Sequence, residues 1–425
     1  MFQTACFARG DKRNEGSTFV LLSFRLWRKS KPPAMRVVVD LEELFGYTPA
    51  LYFTWRPPPV SHKVIPMKVP DYVAGLKPYV PGKPIEELER EYGITDAVKL
   101  ASNENPIGPS PKAVEAITGV LGNLHRYPDA ANHRLGGRLA EKLHVSVDQI
   151  VIGNGSNEII ELLVRTVLRE GDEVIMPDPS FLMYEIMVQA GGGRPVKVAL
   201  KERIIDLEGM ARALSPQTRM IFVNNPNNPT GTIVSKDEFE GFLEQVPPDV
   251  IVVMDEAYIE FVRDKACAVG LDYLDGEKTV VSLRTFSKTY GLAGLRVGYG
   301  LMDAALAGLM HRVRQPFNTN LLAQVGALAA LDDDVFLKKT VALVHSGLDF
   351  LYGEVGKLGL RYFPTQTNFF LIDMERDAGA VFEDMLRLGV IVRPMTAYGY
   401  PNYIRINAGL PEENKRFVEA LRQVI

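Results

Sequence analysis

Cysteine is almost absent. Cys6 and Cys267 are the two in 425 residues, and two thiols without a CxxC pair build no disulfide framework; the usage is that of a reducing compartment. Histidine is scarce too, six in all, with no HxxxH or similar ligand spacing to mark a metal centre; His125 and His311 read as surface or interface residues. Charge of one sign is also lacking. The 48 Lys and Arg face 52 Asp and Glu, for a net charge of −4, which gives no bulk attraction to nucleic acid or anionic lipid. Long hydrophobic runs are missing as well. The longest uncharged stretch, residues 315 to 331, is about 17 residues, short of the roughly 20 that span a bilayer. It contains Asn318, Asn320 and Gln324, so a buried helix is the expected form.

What is present is a soluble globular composition, 46% hydrophobic and 24% charged. At roughly 100–200 residues per domain the length suggests two or three domains. Residues 1–66 stand apart. Residues 1–40 hold eight Lys/Arg against three acids, and the apolar "STFVLLSF" is followed by no small-residue cleavage site and then by "WRPPPV". That pattern argues against a secretory signal and leaves a transit-like presequence as an alternative. Residues 1–66 are expected to be a non-essential, poorly ordered extension, with the working chain opening near Met67.

From there the pattern is regular. "PIEELEREYG" reads as a short helix, and "QIVIGNGSNEIIELLVRTVLRE" as strand, tight turn and helix, with Ile160, Leu163, Val164 and Val167 at helical spacing. Strands in "DEVIMPD", "RMIFVNNP", "VIVVMDEA" and "TVVSLRTF" alternate with helices, one starting near Phe181 and another in "KDEFEGFLEQV". Such βα alternation with Val/Ile runs predicts an α/β fold with a mostly parallel sheet covered on both faces. A helical stretch over about 318–360 follows. Then the short strands "NFFLIDM", "GVIVRPM" and "YIRINAG", with a helix in "DAGAVFEDMLRLG", predict a smaller α+β domain.

In open α/β sheets a site forms beyond the carboxyl ends of the strands. Those ends carry "GNGSNE", "NNPNNPTG", "MDEAY" and "RTFSK". Lys288 offers an amine, Asp255 a carboxylate, Asn228 and Tyr258 neutral polar groups, and Ser287 and Arg296 further anion ligands. "GNGSNE" offers backbone N–H groups opening a helix, a ready anion site. Each feature alone has a plainer reading: a surface Ser-Lys pair, an acidic helix cap, a turn, a strand arginine in an ion pair. Together they suit pyridoxal phosphate, which needs a lysine for its aldehyde, a carboxylate for its ring nitrogen and a cationic cradle for its phosphate.

Nearly all of residues 71–423 resembles the fold-type-I, pyridoxal-phosphate-dependent aminotransferases, and within them the histidinol-phosphate aminotransferases. The likeness is carried by "KLASNENPIGPSP", "RYPD", "GNGSNE", "NNPNNPTGT", "VMDEAY", "RTFSKTYGLAGLRVGY", "RQPFNTN" and "YIRINAG", in that order. It implies a seven-stranded sheet and a division into an N-terminal arm with part of the small domain (67–108), a cofactor-binding domain (109–325) and a C-terminal small domain (326–425). Lys288 resembles the lysine bonded to the cofactor, and Asp255 the partner of the ring nitrogen. Asn228 and Tyr258 match ligands of the ring hydroxyl, and Phe181 the aromatic stacked on the ring. Gly155, Ser156 and Asn157, with Ser287 and Arg296, match the phosphate cup. Tyr127 resembles a tyrosine reaching the phosphate from a second subunit, which implies a homodimer. Arg405 resembles the α-carboxylate clamp, Arg393 the ligand of a substrate phosphate, and Asn103 and Tyr79 further substrate contacts.

The resemblance implies a cytoplasmic enzyme of histidine biosynthesis that moves an amino group between histidinol phosphate and 2-oxoglutarate. An aminotransferase for aromatic amino acids or similar donors, and a decarboxylase of a phosphorylated amino acid, share much of the pattern. A regulator with a DNA-binding module is a further class; residues 1–66 show no helix–turn–helix periodicity, and three successive prolines interrupt them.

Overall fold

The computed structural model describes residues 68–79 and 81–425, and ahead of them two strands, Phe19–Leu22 and Val37–Asp40, which pair antiparallel. The expectations for the remainder of residues 1–66 lie outside the described residues.

The main unit is built on a seven-stranded sheet. Its strands are β1 (Ile150–Gly153), β2 (Glu173–Asp178), β3 (Arg194–Ala199), β4 (Thr218–Asn224), β5 (Ile251–Asp255), β6 (Val280–Thr285) and β7 (Gly298–Leu301). Their spatial order is β1-β7-β6-β5-β4-β2-β3. β7 runs antiparallel to both its neighbours, and the other adjacent pairs are parallel. All five residues of β5 are buried, as the continuous "IVVMD" requires of a strand covered on both faces. The fold is thus the expected α/β type with a mostly parallel sheet.

Two strands of this sheet went unread in the sequence. β3 lies on the edge, and its "RPVKVA" alternates too weakly to signal a strand. β7, "GYGL", carries two glycines, which usually weaken a strand. Here Gly298 has a packing reason: a Cβ on it would stand 2.5 Å from the Ser156 nitrogen. Two helical expectations also shift. The helix after β2 begins at Met183, not Phe181. The stretch over 318–360 is two helices, Leu321–Leu331 and Asp334–Lys357. Asp333 breaks it, capping the second helix through the Phe336 N–H and accepting a hydrogen bond from Ser110 Oγ at 2.6 Å.

The C-terminal part adds an antiparallel sheet of β8 (Arg361–Phe363), β9 (Phe369–Asp373), β10 (Arg393–Pro394) and β11 (Tyr403–Asn407), in the order β8-β9-β11-β10. An N-terminal piece joins it. Val98–Lys99 pairs in parallel with Val390–Ile391, and Leu88 and Ala101 share a core with Leu386 and Ile391. Asn224, Asp255 and Thr285, the last residues of β4, β5 and β6, line one cavity with Arg393 of β10 and Arg405 of β11.

Candidate active site

Strand ends supply the reactive groups. Asp255 is the last residue of β5, and Lys288 lies in the turn after β6. All the predicted site residues except Gly155 and Tyr127 line one cavity of about 200 Å³. Gly155 adjoins it: it adopts φ +79° at the start of the helix Ser156–Val167, and a Cβ there would meet Arg296 Nη2 at 2.5 Å. Its lack of a side chain lets the guanidinium approach the helix N-terminus, where no side chain caps the first N–H groups. Arg296 also donates to Ser287 Oγ at 3.2 Å. Uncapped N–H groups, a hydroxyl and a guanidinium together form an anion cradle.

Lys288 Nζ donates to the Ser102 carbonyl at 3.1 Å. Burial, then the positive charges of Arg405 and Arg296, lower its pKa to about 8. At pH 7 that leaves roughly a tenth of the amine unprotonated, against well under a thousandth for an ordinary lysine. A neutral amine is the nucleophilic form.

Asp255 is 3% exposed. Burial pushes its pKa up to about 6, partly offset by hydrogen bonds from Tyr184 Oη at 2.7 Å and the Ala257 N–H at 3.3 Å. Such a carboxylate is under-compensated, and a cationic or protonated nitrogen facing it would restore the balance. Phe181 lines the cavity from just ahead of the helix that carries Tyr184, and the two rings meet edge-on at 5.5 Å.

The remaining polar groups interlock. Asn103 Nδ2 donates to Tyr258 Oη at 2.9 Å, and its N–H donates to Asn407 Oδ1 at 3.0 Å. Burial pushes the Tyr258 hydroxyl up to about 12. Arg405, 6% exposed, donates to Asn228 Oδ1 at 2.5 Å and to the Ala101 carbonyl at 3.0 Å. Asn228 is held in turn, its N–H donating to Asn224 Oδ1 at 2.8 Å. Among the described residues, Arg405 Nε and Asn103 Oδ1 are buried without a partner. A buried polar atom costs about 1–3 kcal/mol when unsatisfied, so the cavity favours an occupant that offers an acceptor to one and a donor to the other. Arg393 faces the Tyr79 ring, its guanidinium carbon 6.0 Å from the ring centroid.

Tyr127 is not in this cavity. It is 82% exposed and stacks on Phe317 at 4.6 Å between centroids.

Sequence reasoning missed Tyr184, Tyr398 and Asn224. Tyr184 sits among apolar residues and reads as core. Tyr398 lines the cavity from a 3₁₀ turn, buried beside Arg405, and that turn has no motif of its own. Asn224 was legible as the first Asn of "NNPNNPTG", but its role in holding Asn228 required the fold.

Comparison with known proteins identifies the family. Residues 95–421 match the family described as Aminotransferase class I and II. The chain is 47% identical over 359 residues to the histidinol-phosphate aminotransferase of Moorella thermoacetica, covering 84% of this chain and 93% of that one. It is 49% identical over 355 residues to histidinol-phosphate aminotransferase 2 of Pseudomonas aeruginosa, covering 83% and 96%. Among solved structures, the histidinol-phosphate aminotransferase of Sinorhizobium meliloti in complex with pyridoxal-5'-phosphate aligns with a TM-score of 0.77 at 28% identity, over 88% of this chain and 98% of that one. Aspartate aminotransferase of Thermus thermophilus with maleate, at 23% identity and a TM-score of 0.74 over 84% and 100%, shares the fold.

Proposed function

This chain belongs to the class I and II aminotransferases, and from that premise we propose that it transfers an amino group reversibly between histidinol phosphate and 2-oxoglutarate, giving imidazole acetol phosphate and glutamate, as a step of histidine biosynthesis. The observation that carries the substrate choice is the pairing of Arg393 with Arg405, Cα partners on adjacent antiparallel strands, in a cavity that also holds Lys288. Glutamate brings carboxylates and histidinol phosphate a phosphate, and guanidinium groups accept either anion in bidentate fashion.

Pyridoxal 5'-phosphate fits the donor set: the cradle of Ser156, Asn157, Ser287 and Arg296 for its phosphate, Asp255 for its ring nitrogen, Asn228 and Tyr258 for its hydroxyl, and Phe181 for its ring face. Bound there, it supplies an aldehyde to the amine and a ring that accepts electrons. Lys288 would hold it through its amine and release it to an incoming amino donor. Its freed Nζ would take the proton from the donor's α-carbon as general base and deliver it to the cofactor carbon bearing the transferred nitrogen as general acid. Asp255 would keep the ring nitrogen protonated. Arg405 and Arg393 orient the substrate, with Asn103 and Tyr79 as further contacts.

Tyr127, exposed on its own chain, serves the phosphate cradle of a second copy, so the working form is a homodimer. Residues 67–108 form an arm and part of the small domain made by 326–425, and 109–325 bind the cofactor. No described helix is long and apolar enough to cross a membrane, in keeping with a cytoplasmic site of action.

The purified protein would be mixed in turn with histidinol phosphate, phenylalanine and glutamate, and loss of the bound cofactor's visible absorbance timed for each. Fastest reaction with histidinol phosphate supports the reading. Faster reaction with phenylalanine replaces it with an aromatic aminotransferase, and carbon dioxide release with a decarboxylase.

A further inference from the structure

Behind the cavity, two side-chain bridges join the chain segment carrying Asp255 and Tyr258 to the one carrying Lys288. In the first, Arg284 Nε donates to Glu256 Oε2 at 3.1 Å. The Glu256 side chain is fully buried and that of Arg284 nearly so. Glu256 also accepts from Ser282 Oγ and, at 2.7 Å, from the Gly270 N–H. In the second, Thr289 Oγ1 donates to Glu260 Oε2 at 3.1 Å. The Thr289 carbonyl is held from the other side by Asn105 Nδ2 at 2.8 Å. None of Glu256, Glu260, Arg284 and Thr289 lines the cavity.

A buried ion pair adds little net stability over an apolar pair of similar volume. What two such bridges do define is register. Position 256 is tied to 284 and position 260 to 289, so the turn holding Lys288 cannot move relative to Asp255 and Tyr258 without breaking a charge-assisted bond.

We propose that Glu256–Arg284 and Glu260–Thr289 form a positioning clamp, which fixes the Lys288 amine relative to the Asp255 carboxylate for proton transfer. The clamp rests on the amino-transfer reading above but not on the identity of the phosphate-bearing substrate. It acts by position: the largest charge effects on Lys288 come from Arg405, Glu104, Arg296 and Lys99, none of them part of the clamp.

The test uses holoenzyme with glutamate as donor. Thr289→Val keeps the shape and removes the bond, Glu260→Gln keeps the shape and removes the charge, and Thr289→Ser restores the hydroxyl. Thr289→Val is expected to lower kcat by about tenfold, less than the roughly 10²-fold that a 1 Å misplacement can cost, with KM for glutamate changed less than twofold and holoenzyme melting near wild type. Loosening admits water to the amine, so the limb of the pH–rate profile set by Lys288 moves above pH 8. Glu260→Gln should do the same more weakly, and Thr289→Ser should recover both rate and profile. An unaltered kcat and pH profile in Thr289→Val would overturn the clamp. A loss that tracks KM or melting, or that serine does not recover, would overturn it too, by showing a merely structural role. Wild-type protein inert towards glutamate would instead sink the amino-transfer reading, and the clamp with it.

Discussion

Arg393 lies directly opposite Arg405 across the antiparallel pair of β10 and β11, as Cα partners. Residues paired this way project to the same face, and like charges so placed repel by a few tenths to about 1 kcal/mol. Both side chains line the cavity. An anion between them turns that repulsion into attraction, and this is the physical content of the phosphate reading.

Arg393→Ala should therefore weaken histidinol phosphate by about 1.5–3 kcal/mol, the range for hydrogen bonds to charged groups, with phenylalanine affected less. KM and kcat/KM for both donors measure it. Equal losses would remove the phosphate role.

Lys288→Ala should abolish covalent attachment of the cofactor and cut turnover by at least 10²–10⁴-fold, about the contribution of a positioned acid/base. Borohydride treatment of wild-type holoenzyme followed by peptide mapping should place the adduct at Lys288. An adduct elsewhere would displace it from the mechanism.

Asp255 gives a signed pH effect. Its folded pKa, about 6, lies above its ordinary 3.8, so between these values the folded state binds more protons than the unfolded one. Stability of the cofactor-free protein is then greatest below about pH 4 as far as this group acts, and declines as pH rises through 6. The full amount is about 3 kcal/mol, from 1.36 kcal/mol per unit. Urea unfolding from pH 4 to 7 should show this decline in wild type and not in Asp255→Asn. Tyr184→Phe removes a bond that stabilises the charged form and should extend the decline to higher pH.

Tyr127 is tested by complementation. Tyr127→Ala and Lys288→Ala chains, each impaired alone, should regain activity when mixed and refolded together. Half of a random mixture is heterodimer, and each heterodimer has one intact site, so about a quarter of sites should work. No recovery above the separate proteins would place Tyr127 outside the partner's site.

Much of the site was legible because its chemistry sits at strand ends. "MDEAY" and "RTFSK" announce a carboxylate and an amine where α/β sheets bind ligands, and "GNGSNE" announces N–H groups opening a helix. Less visible were groups whose roles depend on neighbours far along the chain. Tyr184 meets Asp255 across 71 residues, and Asn228 meets Arg405 across 177. The strands "RPVKVA" and "GYGL" were illegible because edge exposure and glycine erase the alternation that marks a strand.

The amino-acid order by itself determined which reactive groups exist, which strands and helices carry them, and the family to which the chain belongs. Local periodicity and turn chemistry suffice for that, since they act over a few residues. Tertiary structure alone decided that Arg393 faces Arg405, that Tyr184 reaches Asp255, and that burial lowers the pKa of the Lys288 amine to about 8. Register and desolvation arise from packing distant segments together, and no local stretch of chain encodes them.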